Sequence, residues 1–167
     1  AFASCTSLQE VHIPENVSYL GDGAFVRCNS LVRFTGKYST EDGRCLIYNN
    51  TLISFAPKGI VSYDIPESIT QIGSEVFNRF EEIEEVVIPA GVTSIGSFVF
   101  AECPNLRSLY CKAVVPPTLS DNCFGFEFDL GIGITKNFKI YVPVESLDAY
   151  LNADGWRDYA DSIVGYD

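Results

Sequence analysis

The feature that most constrains this chain is a recurrence at 23 residues. Ile65 and Ile88 are 23 apart, as are Phe2 and Phe25, Phe77 and Phe100, Leu8 and Leu31, and Ile83 and Leu106, while Phe100 to Phe124 is 24. Aligning VHIPENVSYLGDGAFVRCNSL (11–31), DIPESITQIGSEVFNRFEEI (64–83) and VVIPAGVTSIGSFVFAECPNL (86–106) yields one pattern, I-P-x-x-V-T-x-I-G-x-x-A-F-x-x-C-x-x-L. A period of this length marks an array of stacked supersecondary units. The step from Ile13 to Ile65 is 52 residues, 23 plus 29, so the unit that begins at Leu31 is enlarged. Its extra length holds RCLIYNNTLISFAP, two strand-like runs around Asn49-Asn50, a dipeptide that tolerates the positive φ of a tight hairpin turn. Residues 38–59 therefore read as a hairpin-bearing insertion.

Each landmark has a mechanical reading. Leu8, Val11 and Ile13 alternate as a strand with an inward face, and Pro14 ends the pairing by removing a backbone donor. Val17/Leu20, Ile69/Ile72 and Val92/Ile95 turn the chain back across the core. Gly21, Gly73 and Gly96 follow, where the chain bends sharply or lets backbones approach closely. The A-F-x-x-C segment is expected to deliver its Phe from a helical turn. One such unit buries too little apolar surface to offset the entropy of ordering its backbone, so it must stack on neighbours, and terminal units need covers. At the C-terminal end KIYVP (139–143) reads as the last strand. Leu147, Tyr150 and Leu151 then share one helical face, with Trp156, Tyr159 and Ile163 as large sealing side chains. AFASCTSL (1–8) is the second half of a unit, so the natural chain is expected to continue upstream.

Composition narrows the function. With 47% hydrophobic and 20% charged residues, the 167-residue chain can bury a core, which argues against disorder. No apolar run approaches the roughly 20 residues of a spanning helix, so no membrane insertion by this segment is expected. A net charge of -11 opposes nucleic acid and anionic membrane surfaces.

The repeat resembles that of the BspA-like leucine-rich-repeat proteins. The likeness covers residues 1 to about 125 and is carried best by GVTSIGSFVFAECPNLRSLYCKAVVPPTL. The tail, KIYVPVESLDAYLNADGWRDYADSIVGYD, is similar to the closing segment of many such proteins from gut and oral anaerobic bacteria. The resemblance implies a right-handed leucine-rich-repeat solenoid, an α/β superhelix of short strands and helical turns. Its body spans 1–138 and a C-terminal cap spans 139–167. It also implies a secreted or surface-exposed bacterial protein of adhesive, non-enzymatic function. Three departures stand out: Phe80 at the repeat Cys position, Gly36 after a strand lacking Ile-Pro, and the hairpin insertion. They leave the fold intact.

Chemistry-bearing residues read mostly as structure. Cys5, Cys28 and Cys103 share the position that Phe80 fills in the remaining unit, so the site selects apolar volume and buried free thiols are expected. A Cys5–Cys28 bridge is the alternative, since stacked units lie within disulfide reach. Cys45, Cys111 and Cys123 lack zinc-site spacing. His12, the one histidine, excludes two-His metal motifs, and no G-x-S-x-G elbow accompanies it. Gly131-Ile132-Gly133 lacks the third glycine of a phosphate loop, and Glu81-Glu82 with Glu84-Glu85 lack a calcium-loop pattern. No cofactor or metal is expected.

What remains is the outward face of the strands, where His12, Thr35, Asp64, Val87 and Tyr110 form one column and Glu10, Arg33, Ser62, Glu85 and Ser108 its neighbour. Repeat proteins bind partners along such strips. The expected function is a monomeric cell-surface interaction module whose strand face or hairpin contacts an extracellular protein, host or microbial. Alternatives are a structural spacer with no ligand, and a carbohydrate-binding accessory module suggested by Tyr110 and Tyr63.

Overall fold

A computed structural model of the chain describes residues 2–125 and 138–167, so Gly131-Ile132-Gly133 lies outside the described residues. The described residues form short strands in three sheets. β1 (Glu10–Ile13) pairs in parallel with β2 (Arg33–Gly36). A five-stranded ladder follows the order β5 (Ser62–Asp64), β7 (Glu85–Ile88), β9 (Ser108–Cys111), β11 (Lys139–Pro143) and β12 (Ile163–Tyr166), every pair parallel. A second ladder runs from the hairpin strands β3 (Cys45–Tyr48) and β4 (Thr51–Phe55) through the two-residue strands β6 (Gln71–Ile72), β8 (Ser94–Ile95) and β10 (Thr118–Leu119). In the regular part of each ladder the pairing joins residues one sequence unit apart: Glu85 faces Ser108, and Ile72 faces Ile95.

Alternation within the strands sorts the side chains. In β9, Leu109 and Cys111 are buried while Ser108 and Tyr110 are half-buried, the period-two signature of a sheet with one covered face. Pro89 follows Ile88 as Pro14 follows Ile13. The pairing is handed on by the residue opposite: Lys112 N donates to Ile88 O at 3.0 Å and Lys37 N to Ile13 O at 2.9 Å.

The A-F-x-x-C segments are not helical. They are successive turns containing left-handed residues, Arg27, Arg79 and Glu102 among them, at φ 61°, 62° and 55°. Among the described residues helix is confined to the C-terminal end, in α1 (Leu147–Asn152) and two short 3-10 stretches. The reason is hydrogen bonding. Phe77 N donates to Val99 O, Arg79 N to Ala101 O and Phe100 N to Cys123 O, all between neighbouring repeats, so these donors are not available for helical i to i−4 bonds.

Rings stack along the core in the same direction. Phe77 lies 5.5 Å from Phe100 with planes 13° apart, and Phe100 lies 5.8 Å from Phe124 at 17°. Phe2 stacks on Phe25 at 5.4 Å. Between these two runs the hairpin supplies Phe55, 4.9 Å from Phe77. The hairpin is a wedge with two apolar faces: Leu46 and Ala56 pack into the cluster of Ile13, Phe25, Leu31 and Phe34, while Cys45, Leu52 and Phe55 pack into the larger core. Asn49 and Asn50, at φ 48° and 58°, form its turn, and backbone N–H groups of Thr70 and Gln71 hold the Asn50 carbonyl.

The strand β11 is not the last. After α1 and a 3-10 turn the chain returns as β12, which pairs with β11. Trp156 and Tyr150 are fully buried beneath it, Trp156 Nε1 donating to Pro117 O at 2.7 Å and the Tyr150 hydroxyl to Ala113 O at 2.7 Å. Leu147, Leu151 and Tyr159 are only partly buried.

All six cysteines are free thiols. Cys28 and Cys103 occupy one role: each Sγ donates to the carbonyl of the Phe at the core of the repeat before it, Phe2 at 3.1 Å and Phe77 at 2.9 Å. Phe80 replaces that weak bond with an edge contact to Phe77 at 6.2 Å. Cys5 departs from the buried-thiol expectation and is exposed, because no repeat in this chain stacks over its position. Burial pushes the thiols of Cys45 and Cys103 up to about 12.

Three outcomes follow from this packing. Phe77→Ala removes the ring that links three others and is expected to cost about 3–5 kcal/mol, read from denaturant unfolding. At the glycine position Gly96 and Gly21 should differ. A methyl group on Gly96 would meet Ser74 N at 2.6 Å, whereas one on Gly21 would meet nothing nearer than the Tyr19 ring at 3.6 Å. Gly96→Ala should therefore cost about 1–3 kcal/mol and Gly21→Ala close to nothing. In thiol labelling at neutral pH, the native protein should expose Cys5 alone and the unfolded chain all six.

Candidate functional site

The five residues of the expected outward column do not form one strip. His12 faces Thr35 in the β1–β2 register, with His12 Nδ1 and Thr35 Oγ1 3.0 Å apart. Asp64 faces Val87, and Val87 faces Tyr110. Between Thr35 and Asp64 the ladder is broken, because β2 and β5 are not paired with each other. The insertion enters there: Phe34 N donates to Gly43 O at 2.7 Å, a bond that a continuing parallel strand would otherwise make. Gly36 opens the route. It stands opposite Ile13 at φ +82°, and a Cβ on it would lie 2.2 Å from Ile13 O.

A polar clasp holds the inserted segment against β5. The Tyr63 hydroxyl donates to Asp42 Oδ2 at 2.8 Å, lies 3.3 Å from Cys45 Sγ, and its ring packs 4.6 Å from Phe55. Burial raises the Tyr63 pKa, and the neighbouring Cys45 and Asp42 raise it further. Burial draws the Asp42 carboxyl up, but hydrogen bonds from Thr40, the Arg44 backbone and Tyr63 outweigh it and leave the group below its ordinary value. Tyr63, one of two residues that suggested a sugar site, thus has its hydroxyl engaged in the fold.

The neighbouring column is paired in the same two pieces. Glu10 forms an ion pair with Arg33 at 3.5 Å, and Ser62 Oγ donates to Glu85 Oε1 at 3.2 Å. Glu82 of the acidic run is engaged by Lys58 at 2.6 Å and by the Gly59 N–H. No group of three or more His, Cys, Asp or Glu is placed to hold a metal ion among the described residues.

At the C-terminal end the strip gains residues that the outward column did not include. Tyr141 sits opposite Tyr110, their rings stacked at 4.5 Å and 14°, and Tyr166 meets Tyr110 edge-on at 5.9 Å. The stack extends the column by two strands, since Val164 faces Tyr141. Burial raises the Tyr110 pKa, with Tyr141, Glu85 and Tyr166 adding to the shift. The alternation in KIYVP carried the signal for Tyr141. Nothing in the repeat pattern marked Tyr166, because β12 lies outside it.

Among the described residues no helix is long and apolar enough to cross a membrane. The fold is similar to that of a leucine-rich cell surface protein from Faecalibacterium prausnitzii, at a TM-score of 0.60 and 21% identity. That match covers 83% of this chain and 43% of the other. It is also similar to a leucine-rich repeat protein from Eubacterium ventriosum, at a TM-score of 0.50 and 18% identity over 82% of this chain and 42% of the other. The chain thus spans less than half the length of these relatives. A comparison with curated proteins finds no match. Residues 47–131 match the BspA type leucine-rich repeat region in 6 copies, a stretch that holds the hairpin turn, the Phe stack and most of both ladders. By that match, over half of its length, the chain belongs to the BspA-type leucine-rich-repeat family.

Proposed function

We propose that the chain is part of a right-handed solenoid of 23-residue coils that works at the bacterial cell surface as an interaction module without catalysis. Its partner is an extracellular protein, and the contact is the outward strand face around Asp64, Val87 and Tyr110. The observation that carries this reading is the stack of Tyr110 on Tyr141 with Tyr166 at its edge. These rings lie on the outward side of the ladder, away from the Phe stack, and so contribute contact area that the core does not use. Rigid aromatic side chains with a polar tip dominate protein interfaces for that reason. His12 and Thr35, on the separate β1–β2 pair, form a second and smaller part of the surface. A net charge of -11 favours a partner with a basic face. The description of the Faecalibacterium relative as a cell surface protein supports the location.

A non-catalytic role fits the state of the nucleophile candidates. The thiols of Cys45 and Cys103, pushed up to about 12 by burial, stay protonated at neutral pH. The only imidazole is placed against a threonine hydroxyl on the strand surface.

Immobilised purified extracellular-matrix proteins, probed with this chain in a surface-plasmon assay, provide the test. Saturable binding to at least one is expected, with Tyr110→Ala and Tyr141→Ala each weakening it roughly tenfold, about 1.4 kcal/mol. Tyr19→Ala, an exposed ring beside the hairpin, should leave it unchanged. Binding that survives both strand-face variants would move the contact elsewhere, and a uniform absence of binding would favour a spacer that holds another domain away from the cell.

A further inference from the structure

Where the hairpin turn meets the preceding repeat, an open pocket of about 340 Å³ is lined by Tyr19, Asp22, Tyr48, Asn49 and Thr51, with Leu20 and Ile53 as its apolar part. We propose that this pocket binds a neutral pyranose unit of a glycan. The site lies between the hairpin and the segment that precedes it, and is separate from the Tyr110 face.

Neither Tyr19 nor Asp22 is required by the repeat. Their counterparts in the following two repeats are Gln71 and Ser94, and Ser74 and Ser97. Tyr19 is 70% exposed, a large ring that serves no core. It is nevertheless held in place: it lies over Gly21, where a Cβ would stand 3.6 Å from the ring, and meets Tyr48 edge-on at 6.2 Å and 85°. Tyr48 is backed by Tyr38 at 5.3 Å and 89°, and the Tyr38 hydroxyl is fixed to Val17 O at 3.1 Å. Asn49 is set in its left-handed conformation by a turn that Asn50 pins, its Nδ2 donating to Ser68 O at 2.8 Å. The aromatic corner is therefore preorganised on three connected supports.

The polar groups decide the ligand class. The Asp22 carboxylate and the Asn49 amide are exposed and the Thr51 hydroxyl half-buried, and all three side chains line the pocket. A pyranose matches this combination. Its axial C–H groups carry partial positive charge and rest on the negative face of a tyrosine ring, while its hydroxyls both donate to a carboxylate and accept from an amide. Other ligand classes fit less well. An anion would be repelled by Asp22 and by the net charge of -11. A quaternary ammonium group suits the rings and Asp22, yet it offers nothing to Asn49 and Thr51. An apolar ligand would strip water from all three polar side chains without replacement. The volume accommodates a small saccharide and lies at the lower end of ordinary ligand pockets, roughly 300–1,000 Å³.

Maltotriose, cellotriose, mannotriose and chitotriose, titrated separately to about 10 mM by calorimetry, test the assignment. At least one should bind saturably, and Tyr19→Ala and Asp22→Asn should each weaken it roughly tenfold or more. Both side chains are exposed, so thermal unfolding should be unaltered in each variant. Tyr141→Ala should leave saccharide binding unchanged, which separates this site from the protein-binding face. The proposal is overturned if no trisaccharide binds, if binding persists in both pocket variants, if it is lost in Tyr141→Ala, or if tetramethylammonium binds more tightly with the same dependence on Tyr19.

Discussion

Every repeat in this chain depends on its neighbour for both its hydrogen bonds and its core. Backbone donors in the turn segments reach across repeats, as Phe77 N to Val99 O and Phe100 N to Cys123 O show, and the rings they carry stack along the same axis. A lone repeat would leave those N–H groups unpaired and one face of each ring in water. Stability is therefore cooperative between neighbours and nearly one-dimensional. The same requirement explains the absence of helix in the turns, the close approach at Gly96, and the need for Tyr150 and Trp156 to close the last repeat.

The insertion is the one place where that one-dimensional logic is interrupted. Its strands are buried on both sides, so they read as nearly continuous apolar runs where the outward ladder alternates. Leu46 and Phe55 continue the core in opposite directions, which keeps the stack intact although the outward ladder is cut. Two surface features arise from this cut. The Tyr63–Asp42 clasp seals the seam on one side, and the tyrosine-lined pocket opens on the other.

The surfaces available for recognition are the residues that the repeat leaves unconstrained. Outward positions carry histidine, threonine, aspartate, valine and tyrosine at one and the same structural place, so the scaffold tolerates wide variation there while Ile88 and Leu109 beside them are fully buried. Aromatic residues gather at two places, Tyr110 with Tyr141 on the outward ladder and Tyr19 with Tyr48 beside the hairpin. A scaffold with independent columns can carry two unrelated contacts, because exchanging an exposed ring at one does not disturb the hydrogen bonds of the other.

The sequence by itself determined which residues turn inward, since burial of Ile13, Ile65, Ile88, Phe77 and Phe100 follows from local apolar patterning repeated at a set spacing. It also marked the turn at Asn49-Asn50, because few residue pairs accept two positive φ angles in succession. Tertiary structure alone decided the rest. The two-residue strands of the second ladder, such as Ser94–Ile95, are too short to show a period of their own and exist only because a neighbour pairs with them. Cys5 shares the repeat position of Cys28 yet is exposed, because burial there depends on what stacks above it. The outward column reads as continuous in the alignment and is divided in space, because an alignment records equivalent positions while hydrogen bonding by Gly43 to Phe34 determines which strands are neighbours. Tyr166 joins Tyr110 only once β12 has docked, and Tyr19 meets Tyr48 only when the hairpin folds back over its predecessor. Contacts between residues distant in the chain and outside the repeat leave no periodic trace, so the candidate binding surfaces emerged from packing.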